Sequence, residues 1–142
     1  MGSWTDFVGD EYKSFSGTAV YTTTINKAPV ADVIKLDLGS VAENASVYLN
    51  GDYIGTVIDS PYQLYIPAEK FKGQDELVVR VANSMANRIA YMDKKGVDWK
   101  IFYNVNMSAR KKENVKNGIF DASDWEPKSS GLLGPVTLTP AM

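Results

Sequence analysis

The sequence predicts an all-β protein, an antiparallel β-sandwich of the jelly-roll type. Apolar and polar side chains alternate along several short segments, as in strands that bury one face. Glycine, proline and asparagine separate these segments, and no long stretch repeats with the period of a helix. Short strands divided by turns in this way are typical of sandwiches and jelly rolls.

The predicted strands lie, in order, at residues 19–25, 33–38, 47–57 as a hairpin, 62–66, 77–81, 99–105 and 136–139. Their inward positions predict a core that contains Ile34, Leu36, Leu38, Val47, Leu49, Leu77, Val79 and Val81. One helical turn is expected at residues 68–71 and a short helix at 85–93. Neither is long enough to change the fold class.

The hairpin is the strongest local signal in the chain. Asn50-Gly51 joins its two arms and favours a type I′ turn, because both central residues of that turn need a positive φ. The tyrosines of the strand segments are expected to be half-buried sheet residues, and these are Tyr48, Tyr53, Tyr62 and Tyr65.

Composition excludes several kinds of functional site. The chain of 142 residues contains neither cysteine nor histidine. Disulfides, thiolate nucleophiles, histidine-dependent triads and the usual zinc sites are therefore excluded. A net charge of −2 and the lack of an apolar run of membrane-spanning length argue against nucleic-acid and membrane partners.

The length fits one domain, which we place at residues 4–142. Met1-Gly2-Ser3 resembles the start that an expression vector adds, so this end carries no targeting information. The strand pattern weakens between residues 83 and 131, where two of the three tryptophans lie. Long irregular connections on a rigid sandwich are typical binding loops.

Several segments keep the order of landmarks in one known family. They include Phe-Ser-Gly-Thr-Ala-Val-Tyr (15–21), Leu-Asp-Leu-Gly-Ser-Val (36–41), Ala-Ser-Val-Tyr-Leu-Asn-Gly (45–51) and Ser-Gly-Leu-Leu-Gly-Pro-Val (130–136), with shorter matches at 4–5, 61–62, 81–83 and 86–88. Together they resemble the galactose-binding-like accessory domain of bacterial glycoside hydrolases. The nearest varieties are the C-terminal domain of α-L-rhamnosidase-type enzymes and the sugar-binding domain of the β-galactosidase and β-glucuronidase family.

The resemblance implies a carbohydrate ligand, a parent catalytic module and a secreted, periplasmic or cell-surface location in a bacterium. Sugars are held by aromatic rings and by paired polar groups. The irregular segment supplies both, and the candidate ligand-binding residues are Asn87, Arg88, Tyr91, Asp98, Trp99, Tyr103, Asn104 and Trp125. Each tryptophan has core packing as its alternative role, and Arg88 has a salt bridge to Asp93 or Asp98.

The chain departs from the family pattern in two places. A strand that relatives often carry upstream of Trp4 is absent, and residues 89–93 differ from the usual Leu-Ile-Gly-Asp. No cofactor is certain, although related domains often hold Ca²⁺ on loop oxygens.

The sequence thus predicts a non-catalytic carbohydrate-binding accessory domain. The alternatives are a structural domain that packs on the catalytic module without binding sugar, and a complete enzyme.

Overall fold

The computed structural model describes residues 1–102 and 111–142. These residues form two compact units. Unit 1 comprises Met1–Trp4, Gly17–Asn83 and Ser129–Met142, and unit 2 comprises Thr5–Ser16 and the described part of Ser84–Lys128. The single domain that the sequence predicts over residues 4–142 stays a prediction.

Unit 1 contains most of the strands. They are β1 (Thr18–Ile25), β2 (Val33–Asp37), β3 (Ser40–Ala42), β4 (Asn44–Leu49), β5 (Asp52–Val57), β6 (Gln63–Pro67), β7 (Asp75–Ala82), β10 (Gly131–Gly134) and β11 (Thr137–Pro140). The strand order is β1-β7-β4-β5 in one sheet and β11-β2-β6 in another, with β10 paired to β3. All of these strand pairs are antiparallel. The predicted antiparallel β-sandwich is confirmed.

The core of unit 1 follows the alternation of the strands. Its buried side chains come from both larger sheets and include Leu36, Leu38, Val47, Leu49, Ile66, Leu77, Val79 and Val81. Burial of each such side chain contributes about 1.5–3 kcal/mol. The predicted core positions are therefore confirmed.

The hairpin between β4 and β5 has the turn that the sequence predicts. Asn50 has φ 52° and Gly51 has φ 85°, as a type I′ turn requires. The Asn50 side chain donates to Oδ1 of Asp75 at 2.7 Å and accepts from the backbone N–H of Glu76 at 3.0 Å. The turn is thereby tied to the first residues of β7.

Asp75 is a buried carboxylate with several donors. Besides Asn50, the backbone N–H groups of Lys72 and Gly73 donate to it, at 2.7 Å and 3.1 Å. Burial raises the pKa of Asp75, but these hydrogen bonds outweigh it and hold the pKa below the ordinary value. The network stabilises the charged form of Asp75.

Unit 2 is mainly helical and irregular. It contains α1 (Asp10–Lys13) and α2 (Ala86–Lys94). It also contains a short antiparallel hairpin whose strands, β8 (Val115–Lys116) and β9 (Ile119–Phe120), have two residues each. A 3₁₀ turn at Lys112–Asn114 precedes β8 in this unit. Two more 3₁₀ turns lie elsewhere in the chain, Ala68–Lys70 within unit 1 and Trp4–Asp6 across the boundary between the units in the sequence. Among the described residues, no helix is long and apolar enough to cross a bilayer.

Some local predictions are wrong. The strand predicted at 99–105 is not formed over residues 99–102, and its remaining residues lie outside the described part of the chain. Tyr53 and Tyr65 are 58% and 61% exposed rather than half-buried, because both lie on outer strands of their sheets. Ser3 is buried, and its hydroxyl donates to the carbonyl of Ser130 and accepts from the N–H of Ser130. The vector origin of residues 1–3 stays a prediction.

Candidate binding site

A small aromatic cluster organises unit 2. Phe120 and Ala122 are buried, and the half-buried side chains of Ile89, Ala90, Trp99 and Trp125 pack against them. The rings of Phe120 and Trp125 meet edge to face, with centroids 5.8 Å apart. This cluster joins α2 to the segments that follow it, because its members come from both.

Asp93 is the buried polar centre of the same unit. Its side chain is 1% exposed and forms an ion pair of 2.5 Å with Nζ of Lys100. Trp99 Nε1 donates to the same oxygen, Oδ1, at 2.6 Å, and the backbone N–H of Ala122 donates to Oδ2 at 2.8 Å. Asp93 therefore holds α2, residues 99–100 and residue 122 together.

Two further interactions fix the segment that follows β9. Trp125 Nε1 donates to Oδ1 of Asn114 at 2.9 Å. The amide of Asn87 donates to the carbonyl of Lys128 and accepts from its N–H, both at 2.8 Å. Residues 125–128 are thus held by one side chain of α2 and by the turn before β8.

These contacts shape a cleft of about 390 Å³ in unit 2. Residues from α1, α2 and the segment after β9 line it, namely Asp10, Lys13, Ser14, Asn87, Ala90, Tyr91, Lys94, Lys95, Ser123, Asp124, Trp125, Glu126 and Pro127. Asn87, Ala90, Tyr91 and Lys94 follow the spacing i, i+3, i+4, i+7, which places them on one face of α2. The cleft therefore combines two aromatic rings with amine, carboxylate and hydroxyl groups.

Tyr91 lies between two cations at the cleft. The guanidinium of Arg88 and the ammonium of Lys95 are each 5.6 Å from the centre of its ring. Lys95 also lies 3.7 Å from a carboxylate oxygen of Asp10. Contacts of this length orient the Tyr91 ring but are weak where both partners are exposed.

The carboxylates near the cleft are engaged by Lys116. Its Nζ lies 3.0 Å from Asp124 and 3.4 Å from Asp121. The hydrogen bond to Asp124 raises the pKa of Lys116. The Ser123 hydroxyl donates to Asp121 and lowers the pKa of that carboxyl against the opposing effect of burial.

A calcium site is not supported by these side chains. No group of three or more acidic side chains in residues 1–102 and 111–142 is placed to hold a metal ion. Asp121 and Asp124 both pair with the ammonium group of Lys116. Ca²⁺ takes six to eight oxygens, and these two carboxylates alone do not supply that set.

The structure separates the predicted site residues into three groups. Asn87, Tyr91 and Trp125 line the cleft. A second group does not line the cleft. In this group Arg88 contacts the ring of Tyr91, Asp98 is exposed, and Trp99 is half-buried and donates its indole N–H to Asp93. Tyr103 and Asn104 lie outside the described residues. The salt bridge proposed as the alternative role of Arg88 is formed with neither Asp93 nor Asp98 among the ion pairs of the described residues, and Asp93 pairs with Lys100.

Sequence reasoning missed the charged lining of the cleft. Lys13, Lys94, Lys95 and Glu126 were not among the predicted site residues, although Lys94 follows Tyr91 at helical spacing. A helix was expected at 85–93, so its periodicity could have identified Lys94. The contribution of α1 had no such signal, because it depends on contacts between residues far apart in the chain.

Comparison with known proteins agrees with the resemblance seen in the sequence. No family model matches the chain. A protein of Formosa agariphila described as a beta-glucuronidase is 33% identical over 153 residues, covering 97% of this chain and 13% of that protein. The structure of a rhamnosidase from Novosphingobium sp. PP1Y matches 96% of this chain and 12% of its own, with a TM-score of 0.74 and 29% identity.

A third match concerns the fold alone. A beta-glucuronidase from an uncultured Clostridium sp. matches 58% of this chain and 15% of its own, with a TM-score of 0.51 and 24% identity. The chain spans about an eighth of the curated relative and of the rhamnosidase. It is similar to a domain-sized segment of glycoside hydrolases, as the resemblance predicted.

Proposed function

We propose that the chain is a non-catalytic, galactose-binding-like accessory domain of a larger glycoside hydrolase, and that it binds carbohydrate in the cleft of unit 2. The observation that carries this proposal is the cleft, in which Tyr91 and Trp125 lie among charged and hydroxyl side chains. Aromatic rings accept the C–H face of a pyranose, and the polar groups bond its hydroxyls. The similarity to segments of two glycoside hydrolases supports the parent enzyme.

The roles within the cleft follow from the contacts. Tyr91 offers the more adaptable ring, because the exposed cations Arg88 and Lys95 contact it, whereas the Trp125 N–H is bound to Asn114. Lys94 and Glu126 offer a donor and acceptors for sugar hydroxyls. Asn87 is a positioning residue, because both ends of its amide are bound to Lys128. Trp99 supports the cleft from within the cluster.

A catalytic role for the isolated chain is less well supported. Glycosidases use two carboxyl groups, one of which must be free to give up or take a proton. Asp121 and Asp124 are both paired with the ammonium group of Lys116, so neither carboxyl group is free. Histidine and cysteine are absent from the chain.

A glycan array followed by isothermal titration of the best ligand tests the proposal. We expect binding in the millimolar to micromolar range and a loss of about fivefold or more for Tyr91→Ala, as expected for one aromatic contact. Tyr65→Ala is the matched control, because Tyr65 is exposed on β6 in unit 1. A folded protein that binds no glycan at millimolar concentration, or an unchanged affinity in Tyr91→Ala, would contradict the proposal.

A second candidate function is docking on the catalytic module without sugar binding. Unit 2 exposes several large apolar side chains, including Val8 at 95%, Ile101 at 82% and Phe102 at 76%. Exposed apolar patches often mark interfaces. This alternative predicts that the separately produced catalytic module binds the chain and that Phe102→Asp prevents it.

We also propose that the parent enzyme acts outside the cytoplasm of a bacterium. The resemblance to bacterial glycoside hydrolases supports this location. Cell fractionation with an antibody against this chain tests it, and a signal confined to the cytosol would contradict it.

A further inference from the structure

The outer face of the four-stranded sheet carries a second concave surface. Residues that alternate with the core positions point outward on β1, β4 and β7. Arg80 on β7 pairs with Val20 on β1 and with Ser46 on β4, so these side chains form one row across the sheet. Ala82 forms the neighbouring row with Thr18 and Asn44.

These rows line a groove of about 470 Å³, which we call the sheet groove. Its lining residues are Thr18, Val20, Asn44, Ser46, Tyr48, Arg80 and Ala82. Arg80 is the charged residue among them, and none of the ion pairs formed by residues 1–102 and 111–142 includes it. In the part of the chain that the structure describes, no carboxylate lies within ion-pair distance of this positive charge of the sheet groove.

The guanidinium of Arg80 lies over the ring of Tyr48. Its Cζ lies 4.9 Å from the centre of the Tyr48 ring, and the Tyr48 and Tyr53 rings meet at 5.5 Å. The Tyr53 hydroxyl lies 2.9 Å from Thr56 Oγ1, which lies 2.7 Å from Ser46 Oγ. Stacking on an aromatic ring limits the motion of the guanidinium and leaves its N–H edge available for an anion.

We propose that the sheet groove binds a sugar that bears a carboxylate or sulfate group. Arg80 would form paired hydrogen bonds with the anionic group, which suits the planar fork of a guanidinium. Asn44, Ser46 and Thr18 would bond the sugar hydroxyls. Exposed Tyr53, whose ring meets that of Tyr48, offers an aromatic surface next to these residues. This site lies in unit 1 and does not depend on the cleft of unit 2.

Titration of the ¹⁵N-labelled full chain, followed by NMR, tests the proposal. The probes are a galacturonate tetrasaccharide, a sulfated galactan tetrasaccharide and neutral cellotetraose. We expect at least one acidic probe to shift the amide signals of Ser46 and Arg80, and cellotetraose to leave them in place. The comparison of the two acidic probes shows which anionic group is preferred. Higher salt should weaken the acidic binding.

Two variants make the test specific. Arg80→Gln should weaken acidic binding at least about tenfold, because hydrogen bonds to charged groups are worth about 1.5–3 kcal/mol. Lys27→Gln removes an equal charge from an exposed residue in the loop after β1 and should bind like the original protein. Unmoved sheet-groove signals with both acidic probes, equal binding of cellotetraose, or an unaffected Arg80→Gln would overturn the proposal. If only signals of the cleft move, this inference fails while the proposed function stands.

Discussion

Replacement of Asp93 by asparagine should destabilise unit 2 strongly. Asp93 accepts from Trp99 and Lys100 on Oδ1 and from Ala122 on Oδ2. Asparagine has one acceptor oxygen and one NH₂ group. In either orientation its NH₂ group faces a donor, and Lys100 loses the opposing charge.

The size of the effect follows from these losses. An unsatisfied buried donor costs about 1–3 kcal/mol, and removal of one partner from a buried ion pair costs about 3–5 kcal/mol. Because the Lys100 side chain is still 16% exposed, we place the total loss of unfolding free energy at the lower end of the sum, about 4 kcal/mol. That is a large share of the stability of an ordinary domain, about 5–15 kcal/mol.

Urea unfolding followed by tryptophan fluorescence measures this loss, and hydrogen exchange of the α2 amides assigns it to unit 2. Asp98→Asn is the matched control, because Asp98 is exposed and its substitution should change stability by less than about 0.5 kcal/mol. A change below 0.5 kcal/mol for Asp93→Asn, or unchanged exchange in α2, would refute the reasoning.

Three further predictions concern unit 1. Gly131→Ala should lower the free energy of unfolding by more than about 2 kcal/mol, because the added Cβ would lie 2.6 Å from the Tyr21 hydroxyl and φ of this residue is 119°. An unchanged Tm would contradict this. Gly51→Ala should lower the free energy of unfolding by only about 1–2 kcal/mol, because φ is 85° but no described residue beyond its two chain neighbours lies within 4 Å of the added Cβ. A larger loss in urea unfolding would be inconsistent with this. The pKa of Asp75 is lower in the folded protein than its ordinary value of 3.8. The charged carboxylate therefore stabilises the fold at pH values above 3.8, and this stabilisation is lost as the pH falls below 3.8 and through the lowered pKa. The free energy of unfolding should therefore be higher for the original protein than for Asp75→Asn at pH 7, and this difference should shrink below pH 4. A difference that does not depend on pH would argue against this role of Asp75.

The sandwich could be predicted because its signals are local. Alternation places Leu36, Leu77 and Val79 in the core whatever the sheet order, and Asn50-Gly51 specifies its own turn. The pairing of β10 with β3 was not predicted, because it joins residues about 90 positions apart with no repeated pattern to reveal it.

The candidate site could be predicted only in part, for the same reason. The irregular segment was recognised, and Tyr91 and Trp125 do lie at one cleft. Whether a tryptophan lines a cleft or supports it depends on its partners. The Trp99 N–H meets buried Asp93, an acceptor that residue types alone do not single out. Arg80 and Tyr48 were passed over because each lies in a regular strand, and their contact arises across two strands.

The indole N–H signals of the protein test the central claim, carbohydrate binding in the cleft, most directly. The chain has three tryptophans, and each gives its own signal in a ¹⁵N–¹H spectrum. Trp125 lines the cleft, Trp99 is bound to Asp93, and Trp4 is buried in unit 1. On titration with a glycan identified on the array, we predict a shift of the Trp125 signal while the Trp4 signal stays in place. A Trp125 signal that does not move at saturating glycan would contradict the account.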